Sequence, residues 1–188
     1  MSALAALTFI ATAVQGTPAP LFDAFKAACF DIHKFDGVAK AATDAGWTEI
    51  AETDADPRIA KIVKLGRDAV TKEEPEAKYT GQMFRRTVDG RALHLVTSRV
   101  QMKEGWWANG CRAYDLDMPA APDAQTVTAW VGKPPTGAQA SGTAVKRLWE
   151  PWQDGVTLEI TYVPGGHPLG TSYGIQGLVL VSQAIGGF

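Results

Sequence analysis

Residues 83–102 read MFRRTVDGRALHLVTSRVQM. Apolar and β-branched residues lie on both sides of Asp89-Gly90. That dipeptide suits a two-residue hairpin turn, because both central positions need positive φ. The spacing predicts strands over Met83–Val88 and Arg91–Met102, with Val88 facing Arg91, Arg86 facing Leu93 and Phe84 facing Leu95. Downstream, Gly110–Leu116 reads as a third strand carrying Cys111, and Pro119 and Pro122 then break the chain. Asp123 opens a short helix with Ala124, Val127, Trp130 and Val131 on one face, stopped by Gly132. Lys133–Thr143 (KPPTGAQASGT) reads as a loop. Three further strands follow at Val145–Trp149, Val156–Val163 and Ile175–Ile185, the first two joined by a turn at Asp154-Gly155.

Upstream the period is helical. Phe22, Phe25, Ala28, Cys29 and Ile32 form one stripe of a helix over Leu21–Ile32. Asp36 reads as the cap of a second helix whose inner face is Val38, Ala41, Ala42 and Ala45, ended by Gly46, with Trp47 folding back on the last turn. Asp56 and Pro57 start a third, with Ile59, Ile62, Val63 and Val70 inward. Lys72–Lys78 (KEEPEAK) is a solvated connector. Runs of strands broken by a single helix argue α+β: an antiparallel sheet of about six strands, two three-strand meanders joined by a short helix, with the N-terminal helices packed on one face. The order of strands between the two halves stays open.

The chain has 188 residues, 46% of them apolar and 20% charged, with a net charge of −2. That is the composition of one ordinary globular domain, spanning residues 17–188. It carries no electrostatic pull toward nucleic acid. Residues 3–14 (ALAALTFIATAV) are uncharged and apolar or small. The run is too short for a membrane span, which needs ~20 residues. It suits a secretory signal over residues 1–16, with cleavage after Ala13 or Gly16. No Lys or Arg precedes it, so the amino terminus supplies the positive charge or the start lies upstream. The expected location is periplasmic or secreted, with no span in the mature chain.

Export changes the meaning of the two cysteines, Cys29 and Cys111. In an oxidising compartment an even count reads as a disulfide, here tying an N-terminal helix to the middle of the sheet. The alternative is two buried thiols acting as small hydrophobes. The spacing fits no zinc site.

Catalytic signatures are missing. There is no phosphate loop, no HExxH, no GxSxG and no GxGxxG after a strand. His33, His94 and His167 are too far apart in sequence for a local metal pair, and neither metal nor cofactor is expected. His94 reads as structural or surface. His33, between the first two helices, reads as a loop histidine, with a ligand role as the sharper alternative. The segment 164–177 (PGGHPLGTSYGIQG) reads as a wide loop between strands. Its sharper alternative is a base–nucleophile pair of His167 with Ser172 or Thr171. Of the six tryptophans, Trp106 and Trp107 stand at a turn and would point to opposite faces. With Tyr173 they form the candidate binding surface, against core packing as the plain alternative. Arg86 and Arg99 share a face if no bulge intervenes, giving a small anion patch or, more plainly, a solvated sheet face.

Phe25-Lys26-Ala27-Ala28-Cys29, Ala41-Ala42-Thr43-Asp44-Ala45-Gly46-Trp47 and the strand cysteine Cys111 resemble small exported proteins of unknown function from alphaproteobacteria. The likeness covers about the first fifty residues and Cys111. It implies a signal, a helix–sheet disulfide and no assigned activity, and it carries over no catalytic residue. The resulting expectation is an exported, non-catalytic binding or envelope-associated module whose partner is an envelope protein or a glycan. A small hydrolase built on His167 is the alternative.

Overall fold

The computed structural model describes residues 20–88 and 90–188, with the side chains of residues 169, 172 and 173 left aside. The signal segment and Asp89 therefore lie outside the described residues. The hairpin forms as its spacing predicts. Strand β2 (Lys78–Val88) pairs with β3 (Arg91–Gln101) without a register shift, Val88 opposite Arg91 and Phe84 opposite Leu95. Gly90 in the turn has φ 77°.

The sheet has eight strands, all antiparallel to their neighbours, rather than about six. The remaining strands are β1 (Thr48–Ile50), β4 (Trp107–Asp115), β5 (Gly137–Ser141), β6 (Ala144–Gln153), β7 (Val156–Val163) and β8 (Gly177–Gly186). Their order is β1-β2-β3-β4-β8-β7-β6-β5. The two strands not expected are the two edges. β1 has only three residues, too few to show a period. β5 (GAQAS) lies inside the stretch expected to be a loop. It pairs on one side only, and most of its residues are exposed, so no apolar alternation marks it.

The helices also depart from the expectation, because they cover both faces. α1 (Pro20–Cys29), α2 (Phe35–Asp44) and α4 (Ala124–Val131) pack on one face, against Phe84, Leu95, Leu158, Ile160 and Leu180. α3 (Pro57–Glu73) packs on the other, where Ile59 and Val63 meet Met83, Val96, Tyr114 and Val179. Adjacent residues Met83-Phe84 and Leu95-Val96 are all buried, so this end of the sheet is apolar on both sides.

Capping follows sequence at four helix ends, Gly132 closing α4 at φ 86° among them, and fails at one. Asp56 accepts from the Arg58 amide at 2.8 Å, ahead of Pro57. Asp123 accepts from the Thr126 amide at 2.8 Å. α2 closes with Gly46 at φ 82°, its amide donating to the Thr43 carbonyl and the Trp47 amide to that of Ala42. The Trp47 indole, buried, donates to the Ala24 carbonyl of α1. Asp36 is not the cap of α2; Lys34 holds that position without a side-chain bond, and Asp36 lies in the first turn, 3.4 Å from Arg99.

The end of α1 is bonded to the sheet: Cys29 and Cys111 form a disulfide with Cα atoms 5.6 Å apart, both residues fully buried.

The sheet is two four-strand meanders meeting at β4 and β8. In the first, α3 connects β1 to β2 and covers one face. In the second, β5 and β6 are joined by Gly142-Thr143 alone, with Gly142 at φ 60°. Among the described residues no helix replaces α3 there, and β7 shows the consequence. Val156, Leu158 and Ile160 are 0–1% exposed on the helix-covered face, while Thr157, Glu159 and Thr161 on the other are half-buried.

Candidate functional site

Strand register places the side chains of this second face in rows. One row is Tyr79, Val100, Ala108 and Ile185, directly opposite one another across β2, β3, β4 and β8. The next is Gly81, Ser98, Gly110, Gln183 and Thr157. The third is Met83, Val96, Arg112, Val181, Glu159 and Leu148. The middle row begins with small residues, so it forms a furrow between two bulkier rows.

Arg112 lies in that furrow. A methyl group at Gly110 would stand 2.5 Å from Arg112 Nη1 and 3.2 Å from Cζ, so the missing side chain is what lets the guanidinium lie flat on the sheet. Nη1 donates to Ser98 Oγ at 3.0 Å. Among the described residues Arg112 has no carboxylate partner. The nearest acid in its row, Glu159, is taken by Lys146 Nζ at 2.5 Å and by the Thr161 hydroxyl at 2.8 Å.

At the β2 end Gly81 borders a cleft of about 140 Å³ beside α3, shared with Val63, Arg67, Tyr79, Met83 and Val96. Arg67 and Glu52 close one side at 2.7 Å, and Gln82 donates to Glu49 at 3.0 Å. At the other end, Ile185 is 53% exposed. Nearby Trp106 stacks on the exposed Phe188, ring centroids 6.2 Å apart.

Trp106 and Trp107 separate as neighbours on a strand must. Trp107 packs against the core on the helix-covered face, over Gly186, where a methyl would lie 2.5 Å from its ring. Arg99 lies over Phe35 at 4.7 Å, and its Nε donates to Asn109. The His33 ring meets Trp107 edge-on and contacts the Asp154 carbonyl through Nε2 at 2.9 Å. Arg86 does share a face with Arg99, but its guanidinium donates to the Ala45 carbonyl at the end of α2. These groups fasten helices to the sheet, and no anion patch is built from Arg86 and Arg99.

The segment after β7 is not an open loop: it carries a helical turn, α5 (Pro168–Tyr173), where the amides of Gly170 and Thr171 donate to the His167 carbonyl. His167 is half-buried and Thr171 exposed. The side chains of Ser172 and Tyr173 lie outside the described set. Among the described residues no three His, Cys, Asp or Glu side chains gather as a metal site, and no helix is long and apolar enough to cross a membrane.

His94, read from sequence as structural or surface, is buried, as are Tyr114 and Asp115, which the sequence does not single out. His94 is 4% exposed, and burial pushes its pKa down, against the nearby charge of Asp56. The Asp115 side chain is 1% exposed, with Arg91 Nη1 at 2.8 Å, yet neither carboxylate oxygen has a well-directed hydrogen bond. Burial pushes the Asp115 carboxyl up, and Arg91 pulls it back only in part. The charged form is thus the one folding disfavours. Stability from this group is whole below about pH 4, the ordinary carboxyl range, and is lost as pH climbs through the raised value. Asp115→Asn keeps the shape and stays neutral. Its melting temperature relative to the parent chain should rise from about pH 4 to neutrality. Thermal melts at both ends check this, and a difference that is flat or falls with pH refutes it.

No family model, curated protein or solved structure matches the chain.

Proposed function

We propose that this chain is an exported, non-catalytic binding module, with residues 1–16 as its signal and the rest as one domain in the periplasm or outside the cell. The observation that carries the reading is the bare half of the second sheet face. The first meander is covered by α3, whereas in the second Ile185 is 53% exposed, with Trp106 and the exposed Phe188 nearby, and Val181 and Leu148 are only half-buried. Apolar groups left at least partly exposed and gathered at one sheet end, here Ile185, Trp106 and Phe188, are the kind of surface that serves as an interaction site. A fully buried disulfide and the absence of a membrane-spanning helix among the described residues are compatible with an extracellular location.

The test is made in cells. A photoreactive amino acid replaces Ile185, or, as a control, Leu65 on the outer side of α3, which is 43% exposed. The reading expects a discrete cross-linked species in the envelope fraction from position 185 and none from 65. Intact mass should show a cleaved chain with both cysteines oxidised. Uncleaved chain with free thiols in the cytosol, or equal cross-linking from both positions, refutes it.

A further inference from the structure

We infer that the Arg112 furrow is a binding site for a single-chain anionic amphiphile, its carboxylate on Arg112 and its hydrocarbon along the apolar row Val100, Ala108 and Ile185. The inference rests on the exposed part of the second sheet face around Ile185 being a binding face; the furrow itself crosses β2, β3 and β4 of the first meander and reaches that part at β8.

Three features carry it. Arg112 is a half-buried guanidinium that donates to a neutral hydroxyl, Ser98 Oγ, and among the described residues it has no carboxylate partner. A guanidinium presents paired donors that match a carboxylate's two oxygens, and such charge-assisted pairs are the strong ones. Next, the furrow is floored by Gly81, Ser98 and Gly110. Gly110 gives the Arg112 guanidinium its place low on the sheet, and the Tyr79 ring lies against Gly81, so a ligand there meets these two side chains rather than bare backbone. The only acid in the Arg112 row, Glu159, is already neutralised by Lys146, so nothing nearby repels an incoming anion. Finally, the row Tyr79, Val100, Ala108 and Ile185 runs beside the furrow. Neighbouring rows on one face lie about 7 Å apart along the strands, and adjacent strands about 4.8 Å apart. A head group on Arg112 thus leaves a short alkyl chain within reach of the apolar row, directed toward Ile185 and Trp106. A free anion such as phosphate would use the first feature alone, and a neutral detergent the third alone. The arrangement of both across one furrow is what selects an amphiphile.

The experiment uses the purified oxidised chain and octanoate below its micelle concentration, followed by calorimetry and by NMR of the Arg112 Nε–H and the Ile185 methyls. Acetate and octyl glucoside are the head-only and tail-only controls. Octanoate should bind saturably and shift both signals, about tenfold or more tighter than either control. Arg112→Gln should weaken it about tenfold, and Arg112→Lys less, because a point charge keeps attraction but loses the paired geometry. Gly110→Ala tests position apart from charge. Its methyl would meet only the mobile end of Arg112 and Ser98 Oγ at 3.1 Å, so it should lower affinity while leaving the melting temperature near that of the parent. Equal binding of octyl glucoside, unchanged affinity in Arg112→Gln, or no saturable octanoate binding each overturns the assignment. Cross-linking from position 185 would survive any of these if the face binds something else, so the two ideas fail separately.

Discussion

Replacing Cys29 and Cys111 together by alanine should lower the unfolding free energy by about 4–5 kcal/mol, the loop-closure entropy expected when residues this far apart are released. The two positions are 82 apart. The bond joins the last residue of α1 to a central strand, so without it the segment it encloses, residues 29–111, samples far more unfolded conformations. For a protein this size the loss corresponds to a fall in melting temperature of roughly 10–18 °C. The denatured state also becomes more expanded. The urea dependence of unfolding should therefore steepen, not merely shift. That distinguishes release of a cross-link from damage to the native core. Folding itself should survive, because Leu21, Phe22 and Phe25 still bury against the sheet. Both cysteines are fully buried, so reductant should open the bridge in the parent chain only as fast as α1 or the sheet opens. A loss below about 1 kcal/mol with an unchanged urea slope would show that the bridge merely decorates a core already closed.

How much of this architecture the residues disclose depends on what each element must do locally. The hairpin at Asp89-Gly90 and the turn at Asp154-Gly155 were readable because so few residues satisfy a two-residue loop. The structure keeps both registers, with Val88 opposite Arg91 and Gln153 opposite Val156. Asp56, Asp123 and Gly46 were readable for the same reason: helix ends have unsatisfied backbone groups that only certain side chains or conformations meet. Asp36 misled because an acidic residue near a helix start suits the first turn as well as the cap, and Arg99 gives it a partner there. The edge strands were hidden because an edge pairs on one side and can be short or polar. The side on which α3 packs is a tertiary choice. Its only trace in the sequence is the paired burial of Met83-Phe84 and Leu95-Val96.

The candidate site was less legible still. Its furrow is a property of register: Gly81, Ser98 and Gly110 are scattered through three strands and become a row only when those strands align. Arg112 looks like any strand arginine until the empty space at Gly110 is seen beneath it. Asp115 stands at a strand end followed by Asp117, and nothing in its sequence surroundings marks it as buried. Only the return of Arg91 from across the hairpin shows it to be enclosed.

The glycines of 164–177 illustrate the same limit, and they set the second large effect. Read as sequence, Gly165, Gly166, Gly170, Gly174 and Gly177 suggest a loop that lets a ligand approach. The structure separates them. Gly177 has φ 75°, and a methyl on it would lie 2.1 Å from the Asp115 carbonyl oxygen and 2.7 Å from the Leu116 carbonyl carbon. Both contacts are backbone, at the point where β8 begins beside β4. Neither can rotate away, and moving them would pull apart the two central strands joining the meanders. Gly174, at φ 73°, would bring a methyl only to 3.6 Å from Ile62 and 3.7 Å from Lys61, and Gly166, at φ 78°, would meet nothing. All three alanine variants carry the left-handed backbone cost of about 1–2 kcal/mol. Gly177→Ala adds an overpacking cost of about 1–3 kcal/mol and should total roughly 2–5 kcal/mol. Urea midpoints of the three variants measure the series. If Gly177→Ala loses no more than Gly166→Ala, then β4 and β8 are not held at this distance, and the strand register from which the Arg112 furrow is built would fall with it.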